Sequence, residues 1–219
     1  MEHDYWHQRW SENRIGFHLP EINAHLKDNW PKLGLSGNYK VFVPFCGKTQ
    51  DLIYLRDLGL DVVAVELNES AVAAFFEENN ITVTKTKLPE KQLNLWQSDG
   101  IEIYNGDFFQ MDRKLLGNCL AVYDRAALVA LPEQMRVEYI RHMQAIVPGQ
   151  AKMLLVTLEY DENAKQGPPF SVTEMDVQRY FQDNYQIQLL ACHGTPEEQK
   201  SDTSQGVTII DKIYRLEPK

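Results

Sequence analysis

The sequence predicts an α/β fold of the doubly wound type, in which helices cover both faces of a mostly parallel sheet. Three observations predict it. An apolar run at 41–43 precedes a turn at Gly47. Leucines then recur at helical spacing through 48–58, and a second apolar run at 61–65 closes on Glu66. Strand, glycine turn, helix, strand and terminal acid form the first half of such a sheet, whose ligands lie beyond the carboxyl ends of the strands.

Local signals set the limits of these first elements. Pro44 ends the first strand because proline has no N–H to donate to a neighbouring strand, and Gly47 permits a tight turn. The helix that follows stops at Gly59, a residue type common just beyond helix ends. Its apolar face consists of three leucines at helical intervals: Leu52, Leu55 and Leu58.

The remaining elements follow along what we interpret as one domain, 1–219. We expect helices at 70–78, 133–147 and 173–181, strands at 101–104, 120–124 and 152–158, and two closing strands at 186–193 and 207–216. The polar, proline-interrupted segment 84–100 is interpreted as an exposed insertion. A second polar segment, 194–206, separates the closing strands.

The turn and the acid indicate which ligand the sheet edge binds. Glu66 lies about 20 residues beyond the glycine turn, the spacing at which a carboxylate reaches ribose hydroxyls. A dinucleotide fingerprint needs three glycines, but Gly47 has only bulky neighbours. A phosphate loop needs an earlier glycine, and Phe42 occupies that position. The turn therefore suits an adenosine ligand without phosphates, and the leading candidate is S-adenosylmethionine in a methyltransferase.

Residues 1–35 are expected to form a helical cover in front of the first strand. Two of its faces repeat at helical spacing: Tyr5, Trp6 and Trp10, then Ile22, Leu26 and Trp30. Two interpretations stay open. The segment either packs on the sheet as an amphipathic extension, or it forms a lid whose flat rings cover an adenine and exclude water.

The strand at 101–104 leads into a second group of candidate residues. Asp107 follows in a polar turn, and Phe108 and Phe109 come directly after it. A polar turn and an aromatic pair suit the amine and the ring face of an adenine. The alternative is that both phenylalanines are core residues.

Other polar side chains near the predicted site have competing interpretations. Arg125 falls at the carboxyl edge after the strand at 120–124, where it either acts on a ligand or pairs with Asp124. His18 could serve as a base or as a hydrogen-bonded structural residue. Cys46 is interpreted as packing, and Lys48 as a helix-start or surface cation. No Cys/His grouping has the spacing of a metal site, so we predict no metal.

Composition limits the function classes. A formal net charge of −9 argues against a nucleic-acid substrate, since such binding relies on clustered Lys and Arg. No apolar run approaches the length of a membrane span. Three widely spaced cysteines suit a reducing compartment. We therefore expect a cytoplasmic protein without nucleic-acid or membrane partners. Nothing such as a heptad repeat demands an assembly, so we expect a monomer.

Several segments together resemble the thiopurine S-methyltransferase family, especially its bacterial members. They are WHQRWSENRIGFHLPE at 6–21, VFVPFCGKTQDLIYL at 41–55, VVAVELNESAVAAFF at 62–76, VYDRAALVAL at 122–131 and GPPFSV at 167–172. The resemblance implies a seven-stranded class I methyltransferase fold with an N-terminal helical cover. It also implies S-adenosylmethionine as methyl donor and a thiol, selenol or related chalcogen acceptor.

The resemblance assigns cofactor-side positions to five residues, beside the turn glycine Gly47: Trp10, Phe45, Glu66, Asp107 and Phe108. Glu66 matches the family's ribose-binding acid. Phe45 stands where the family usually has leucine. Asp107 and Phe108 replace the family's polar and aliphatic choices beside the adenine.

Acceptor-side positions follow from the same resemblance. Arg125 matches an active-site arginine that contacts both cofactor and acceptor, and Phe17 matches a substrate-side aromatic residue. We hypothesise that Arg125 favours the anionic form of the acceptor, because a nearby cation stabilises a deprotonated group. A second basic position of the family falls within 198–204, where Lys200 is the basic residue.

Other functions remain open at this point. The acceptor could be a halide, thiocyanate or a chalcogen oxyanion, or the chain could bind an adenosyl ligand without catalysis. A nucleic-acid methyltransferase fits less well, because DRAALVAL stands where an Asn-Pro-Pro-aromatic run would be expected.

Overall fold

The computed structural model describes residues 3–195 and 207–219, which form one nine-stranded mixed sheet. The strands are β1 (Lys40–Pro44), β2 (Asp61–Glu66), β3 (Thr84–Leu88), β4 (Leu93–Ser98), β5 (Ile101–Asn105), β6 (Cys119–Arg125), β7 (Lys152–Glu159), β8 (Tyr185–Thr195) and β9 (Ile209–Pro218). Their order is β3-β4-β5-β2-β1-β6-β7-β9-β8. The five strands from β5 to β7 are parallel, so their carboxyl ends meet at one edge.

Helices cover both faces of the sheet, as the sequence predicts for an α/β fold. The α-helices are α1 (His3–Ser11), α2 (Ala24–Asn29), α3 (Asp51–Asp57), α4 (Glu69–Glu78), α5 (Arg113–Leu116), α6 (Glu133–Ile146) and α7 (Glu174–Phe181). Short 3-10 helices lie at Trp30–Leu33, Pro89–Lys91, Phe108–Gln110 and Leu128–Ala130. Within the described ranges, no helix has both the length and the apolar character needed to cross a membrane.

The first predicted unit is confirmed as β1, α3 and β2. Val41 and Val43 pack in one core cluster with Leu52 and Leu55 of α3, and Phe42 packs in the cluster on the opposite face. This alternation is the two-residue period of a strand buried on both sides. Leu58, predicted on the same apolar face, lies just beyond the helix and is 48% exposed. Gly59, with a φ of 82°, lies just beyond α3. The other predicted helices correspond to α4, α6 and α7.

The two closing strands are also confirmed, as β8 and β9, which pair antiparallel with one another. β9 pairs antiparallel with β7 as well and so joins the hairpin to the parallel strands. Residues 196–206 of the polar segment between them lie outside the described residues. Lys200 and the 198–204 window are part of that segment.

The interpretation of 84–100 as an exposed insertion holds only in part, because the segment forms ordered strands and buries Leu93 and Trp96. Its residues form β3 and β4, an antiparallel hairpin that extends the sheet beyond β5. Trp96 is only 3% exposed, and its ring stacks on Phe76 with 6.1 Å between centroids. Lys85 Nζ lies 3.3 Å from the Trp96 ring centroid. The hairpin supplies the two strands beyond the seven that the resemblance implies.

The N-terminal cover contains two different kinds of structure. α2 packs on the sheet, because Leu26 is fully buried and Trp30 is 4% exposed within the core. α1 has no buried residue, and its aromatic rings are half-buried. The packed-extension interpretation therefore fits α2. The lid interpretation of α1 remains a prediction. Residues between the two helices are irregular.

The hairpin makes a direct prediction for stability. We expect Trp96→Ala to lower the free energy of unfolding by about 3–5 kcal/mol, the range for deleting a buried aromatic side chain. Gln97→Ala, at an exposed neighbouring position, should change it by less than about 0.5 kcal/mol. Urea unfolding of both variants measures the difference. Equal, small losses would contradict the packed hairpin.

Candidate functional site

The turn after β1 has an unusual backbone. Phe45 has a φ of 48° and Gly47 a φ of 55°, so both lie in the left-handed region. The Cys46 N–H donates to the Val65 carbonyl at 3.1 Å, which ties the turn to β2. A Cβ built on Gly47 would lie 3.2 Å from the ring of Trp10. Position 47 therefore requires glycine for its backbone conformation and for the close approach of Trp10.

Glu66 joins this turn to the end of β2. Its Oε2 accepts the Gly47 N–H at 2.8 Å, and its Oε1 accepts the Asn68 N–H at 2.8 Å. The residue is 7% exposed. Burial raises the pKa of Glu66, while the backbone amides of Asn68 and Gly47 oppose that rise. A carboxylate has about four acceptor positions, so Glu66 can still accept hydrogen bonds from a ligand's hydroxyl groups.

Asn105, at the end of β5, supports Glu66 from the neighbouring strand. Its Nδ2 donates to the carbonyls of Glu66 and Leu67, each at 3.1 Å. The N–H of Gly106 also donates to the Glu66 carbonyl, at 2.9 Å. Sequence reasoning did not single out Asn105. The signal available in the sequence was an amide residue directly after the apolar run at 101–104.

Asp107 lies at the same edge, beside α1. Its Oδ1 accepts the Phe109 N–H at 3.0 Å and so begins the short 3-10 helix that follows β5. Its Oδ2 lies 3.8 Å from Nε2 of His3. The structure therefore places Asp107 between the β5 turn and the cover.

Phe108 belongs to an aromatic cluster beneath the β1 turn, formed by Phe45, Phe108 and Tyr139. Phe108 is 3% exposed, and its ring centroid lies 5.5 Å from Phe45 and 4.9 Å from Tyr139. The Phe45 and Tyr139 centroids are 5.4 Å apart. The core interpretation of Phe108 is confirmed. Its contact with an adenine remains a prediction.

The cover meets the carboxyl edge through aromatic and polar contacts. The Trp10 ring, which lies against Gly47, is 5.7 Å from the Phe17 ring, and the Trp6 ring is also 5.7 Å from Phe17. Asn68 Nδ2 lies 3.1 Å from Nδ1 of His7. These contacts bring the predicted residues Trp10, Gly47 and Phe17 together at one place.

Arg125 ends β6 and reaches the cover. Its Nη1 donates to the Phe17 carbonyl at 3.0 Å, so the two predicted acceptor-side residues are in contact. Asp124 has neutral partners: the Tyr139 O–H donates to Oδ2 at 2.7 Å and the Leu128 N–H donates to Oδ1 at 3.1 Å. Complete burial raises the pKa of Asp124 to about 6.

A second buried acid lies on the opposite face of β6, and sequence reasoning missed it. Asp51, at the start of α3, is 1% exposed. Its Oδ2 accepts the Tyr123 O–H at 3.0 Å, and its Oδ1 accepts the Asn23 N–H at 2.8 Å. Asp51 therefore fixes the chain between α1 and α2 to the strand that carries Arg125. Asp51 and Tyr123 are 72 residues apart, and no local pattern connects them.

The remaining candidates are His18, Cys46 and Lys48. Burial lowers the pKa of His18, and the cation of Lys48 adds to that effect. Cys46 is buried in the core, as predicted, and burial raises the pKa of its thiol well above the usual value. Lys48 pairs with Glu78 at 2.6 Å, as expected of a surface cation. Among residues 3–195 and 207–219, no group of three His, Cys, Asp or Glu side chains is placed to hold a metal ion.

Solved structures share this fold. A 1,6-didemethyltoxoflavin-N1-methyltransferase from Burkholderia thailandensis aligns with a TM-score of 0.62 at 13% identity, covering 98% of this chain and 87% of that chain. TehB from Haemophilus influenzae aligns with a TM-score of 0.61 at 16% identity, covering 99% of this chain and 67% of that chain. The chain therefore shares the fold of a solved methyltransferase, with a mixed sheet whose parallel strands end at one edge.

Sequence comparison then gives the family. The family profile described as thiopurine S-methyltransferase (TPMT) matches residues 1–219. A thiopurine S-methyltransferase from Pseudomonas fluorescens is 42% identical over 217 residues, which cover 99% of both chains. One from Marinobacter nauticus is 43% identical over 187 residues, covering 85% of this chain and 84% of that protein. The chain belongs to the thiopurine S-methyltransferase family.

The pKa of Asp124 predicts a pH dependence of stability. The pKa of Asp124 rises from 3.8 to about 6 on folding. Between these two pH values the folded protein therefore binds more protons than the unfolded chain. The free energy of unfolding of the wild type should therefore fall, relative to that of Asp124→Asn, as pH rises from about 3 to about 7, by on the order of 3 kcal/mol. Urea unfolding of both proteins across this range measures it. A constant difference would contradict the assignment.

Proposed function

We propose that this protein transfers the methyl group of S-adenosylmethionine to the sulfur, selenium or tellurium of a small aromatic or heterocyclic acceptor. Membership of the thiopurine S-methyltransferase family supports the reaction class. The observation that carries the site assignment is the buried Glu66 carboxylate, held by the Gly47 amide under the aromatic cover. We expect the protein to act as a cytoplasmic monomer, and its free cysteines suit a reducing compartment.

The cofactor side consists of residues at or beside the strand ends: Trp10, Phe45, Gly47, Glu66, Asp107, Phe108 and Arg125. Glu66 would accept hydrogen bonds from the two ribose hydroxyls, because its amide contacts fix the carboxylate and leave acceptor positions available. Phe45 and Phe108 would support the cofactor from the aromatic cluster. Trp10 would close over the turn, and Asp107 would lie near the adenine amine.

When bound, S-adenosylmethionine would supply a methyl group activated by its sulfonium sulfur for transfer to the acceptor. The main task of the chain is orientation, which can lower a barrier by several kcal/mol. The rings of Trp10 and Phe17 would exclude water from the reacting atoms. An aromatic thiol ionises readily, so the site requires no strong protein base.

Arg125 is the residue we assign to catalysis. Its guanidinium lies at the sheet edge against the Phe17 carbonyl, and Phe17 itself would contact the acceptor. A fixed cation there stabilises the thiolate form of the acceptor over the thiol. The same charge would orient the acceptor toward the methyl group.

Replacing Arg125 tests this role. We expect Arg125→Ala to lower kcat/KM for a thiophenol acceptor by about 10- to 100-fold near neutral pH, the loss expected for a hydrogen bond to a charged group. The loss should be larger below the pKa of the free thiol and should shrink as pH rises above it, because the thiol then ionises without assistance. Arg125→Lys keeps the charge and should lose less activity.

The measurement is methyl transfer from labelled S-adenosylmethionine to a panel of thiol, selenium and tellurium acceptors across pH. Unchanged kcat/KM in Arg125→Ala at every pH would contradict the role of Arg125. Binding of S-adenosylhomocysteine without methylation of any acceptor in the panel would contradict the proposed function.

A further inference from the structure

A buried tyrosine and a buried acid connect the two sides of the site, and the reaction described above gives neither of them a role. Tyr139 lies in α6 and is 1% exposed, and Asp124, in β6, is fully buried. They are hydrogen-bonded to one another at 2.7 Å. Asp124 immediately precedes Arg125 in the chain.

We propose that Tyr139 and Asp124 are positioning residues that link the aromatic cluster on the cofactor side to Arg125 on the acceptor side. The inference rests on the proposed function and adds two residues to it. Neither side chain is assigned a contact with cofactor or acceptor. Both act through the residues they hold.

The ring of Tyr139 acts on the cofactor side. It contacts Phe108 at 4.9 Å and Phe45 at 5.4 Å between centroids. Phe45 has a left-handed backbone with a φ of 48°, a conformation that needs support from its surroundings. Tyr139 therefore packs against the turn residue that precedes Gly47 by two positions.

The hydroxyl of Tyr139 acts on the acceptor side through Asp124. The carboxylate accepts the Tyr139 O–H and, on its other oxygen, the Leu128 N–H at 3.1 Å. Ala126, between these residues, has a φ of 63°. Asp124 thus holds the bend at Ala126 from both ends, because its backbone begins the bend and its carboxylate accepts the Leu128 N–H that follows it. Arg125 lies within that bend and donates to the Phe17 carbonyl at 3.0 Å.

If Tyr139 and Asp124 served only to stabilise the core, their replacement would change stability without a specific effect on acceptor kinetics. A buried ionisable group costs free energy, and an apolar pair of similar volume often stabilises a core equally well. Tyr214 shows the contrast on the same face of the sheet. It is 1% exposed in the same core cluster, and its hydroxyl has no hydrogen-bond partner among the described residues. Tyr214→Phe is therefore a matched control for the loss of a buried hydroxyl group.

The test compares wild type with Tyr139→Phe, Asp124→Asn, their double variant and Tyr214→Phe, each checked for folding by thermal unfolding. Tyr139→Phe keeps the ring, so its dissociation constant for S-adenosylhomocysteine should stay within about threefold of wild type. Its kcat/KM for the thiol acceptor should fall about 5- to 20-fold, through the acceptor KM as well as kcat. Asp124→Asn should behave similarly. The loss of kcat/KM in the double variant should be no larger than the loss in the more impaired single variant, because both changes break the same connection.

A second readout does not depend on methyl transfer. Amide hydrogen exchange of residues 5–18 in the S-adenosylhomocysteine complex should be at least about fivefold faster in Tyr139→Phe and Asp124→Asn, because a displaced Arg125 no longer holds the Phe17 carbonyl. Tyr214→Phe should match wild type in both readouts.

Two results would overturn the proposal. One is unchanged exchange and unchanged acceptor kinetics in both single variants, and the other is additive losses in the double variant. Absence of methyl transfer in the wild type would instead refute the proposed function. The exchange measurement would still decide whether Asp124 and Tyr139 position Arg125.

Discussion

The hydrogen bond from the Gly47 amide to the Glu66 carboxylate is the contact on which the rest of the site depends. It joins the turn after β1 to the end of β2, two strands that lie side by side at the centre of the sheet. The turn makes this contact with a left-handed backbone at Gly47, where φ is 55°. Burying the carboxylate costs free energy, and the two amides that donate to it offset part of that cost.

Parallel pairing explains why distant parts of the chain meet around this contact. The carboxyl ends of β5, β2, β1 and β6 fall at one edge, so Asn105, Glu66, the glycine turn and Arg125 become neighbours. The cover then crosses this edge. Trp10 lies on Gly47, and Phe17 is held by Arg125. A small molecule placed between these residues would be enclosed by rings and by one fixed cation.

Two acid–tyrosine pairs stabilise β6 from opposite faces just before Arg125. Asp51 and Tyr123 connect the strand to α3 and to Asn23, which precedes α2. Asp124 and Tyr139 connect it to α6 and the aromatic cluster. Both pairs are buried, where an unpartnered polar group would be costly, so each partner constrains the other. The edge that holds Arg125 is consequently one of the most constrained parts of the sheet.

Much of this arrangement could be predicted from the sequence, because its signals are local. Apolar runs predicted β1, β2, β6 and β7. The separation of Gly47 and Glu66 along the chain predicted an adenosyl site. The hairpin of β3 and β4 escaped prediction because an edge strand exposed on both faces, such as Thr84–Leu88, has the polar composition of a loop. The pairing of Asp51 with Tyr123 also escaped, since it depends on packing between distant elements and leaves no sequence period.

The most direct test is a crystal structure of the protein with S-adenosylhomocysteine. We expect the ribose hydroxyl oxygens to lie within about 3.2 Å of the Glu66 carboxylate oxygens, with the ligand passing over the Gly47 turn beneath Trp10. A ligand bound away from both Gly47 and Glu66 would contradict this account of the site.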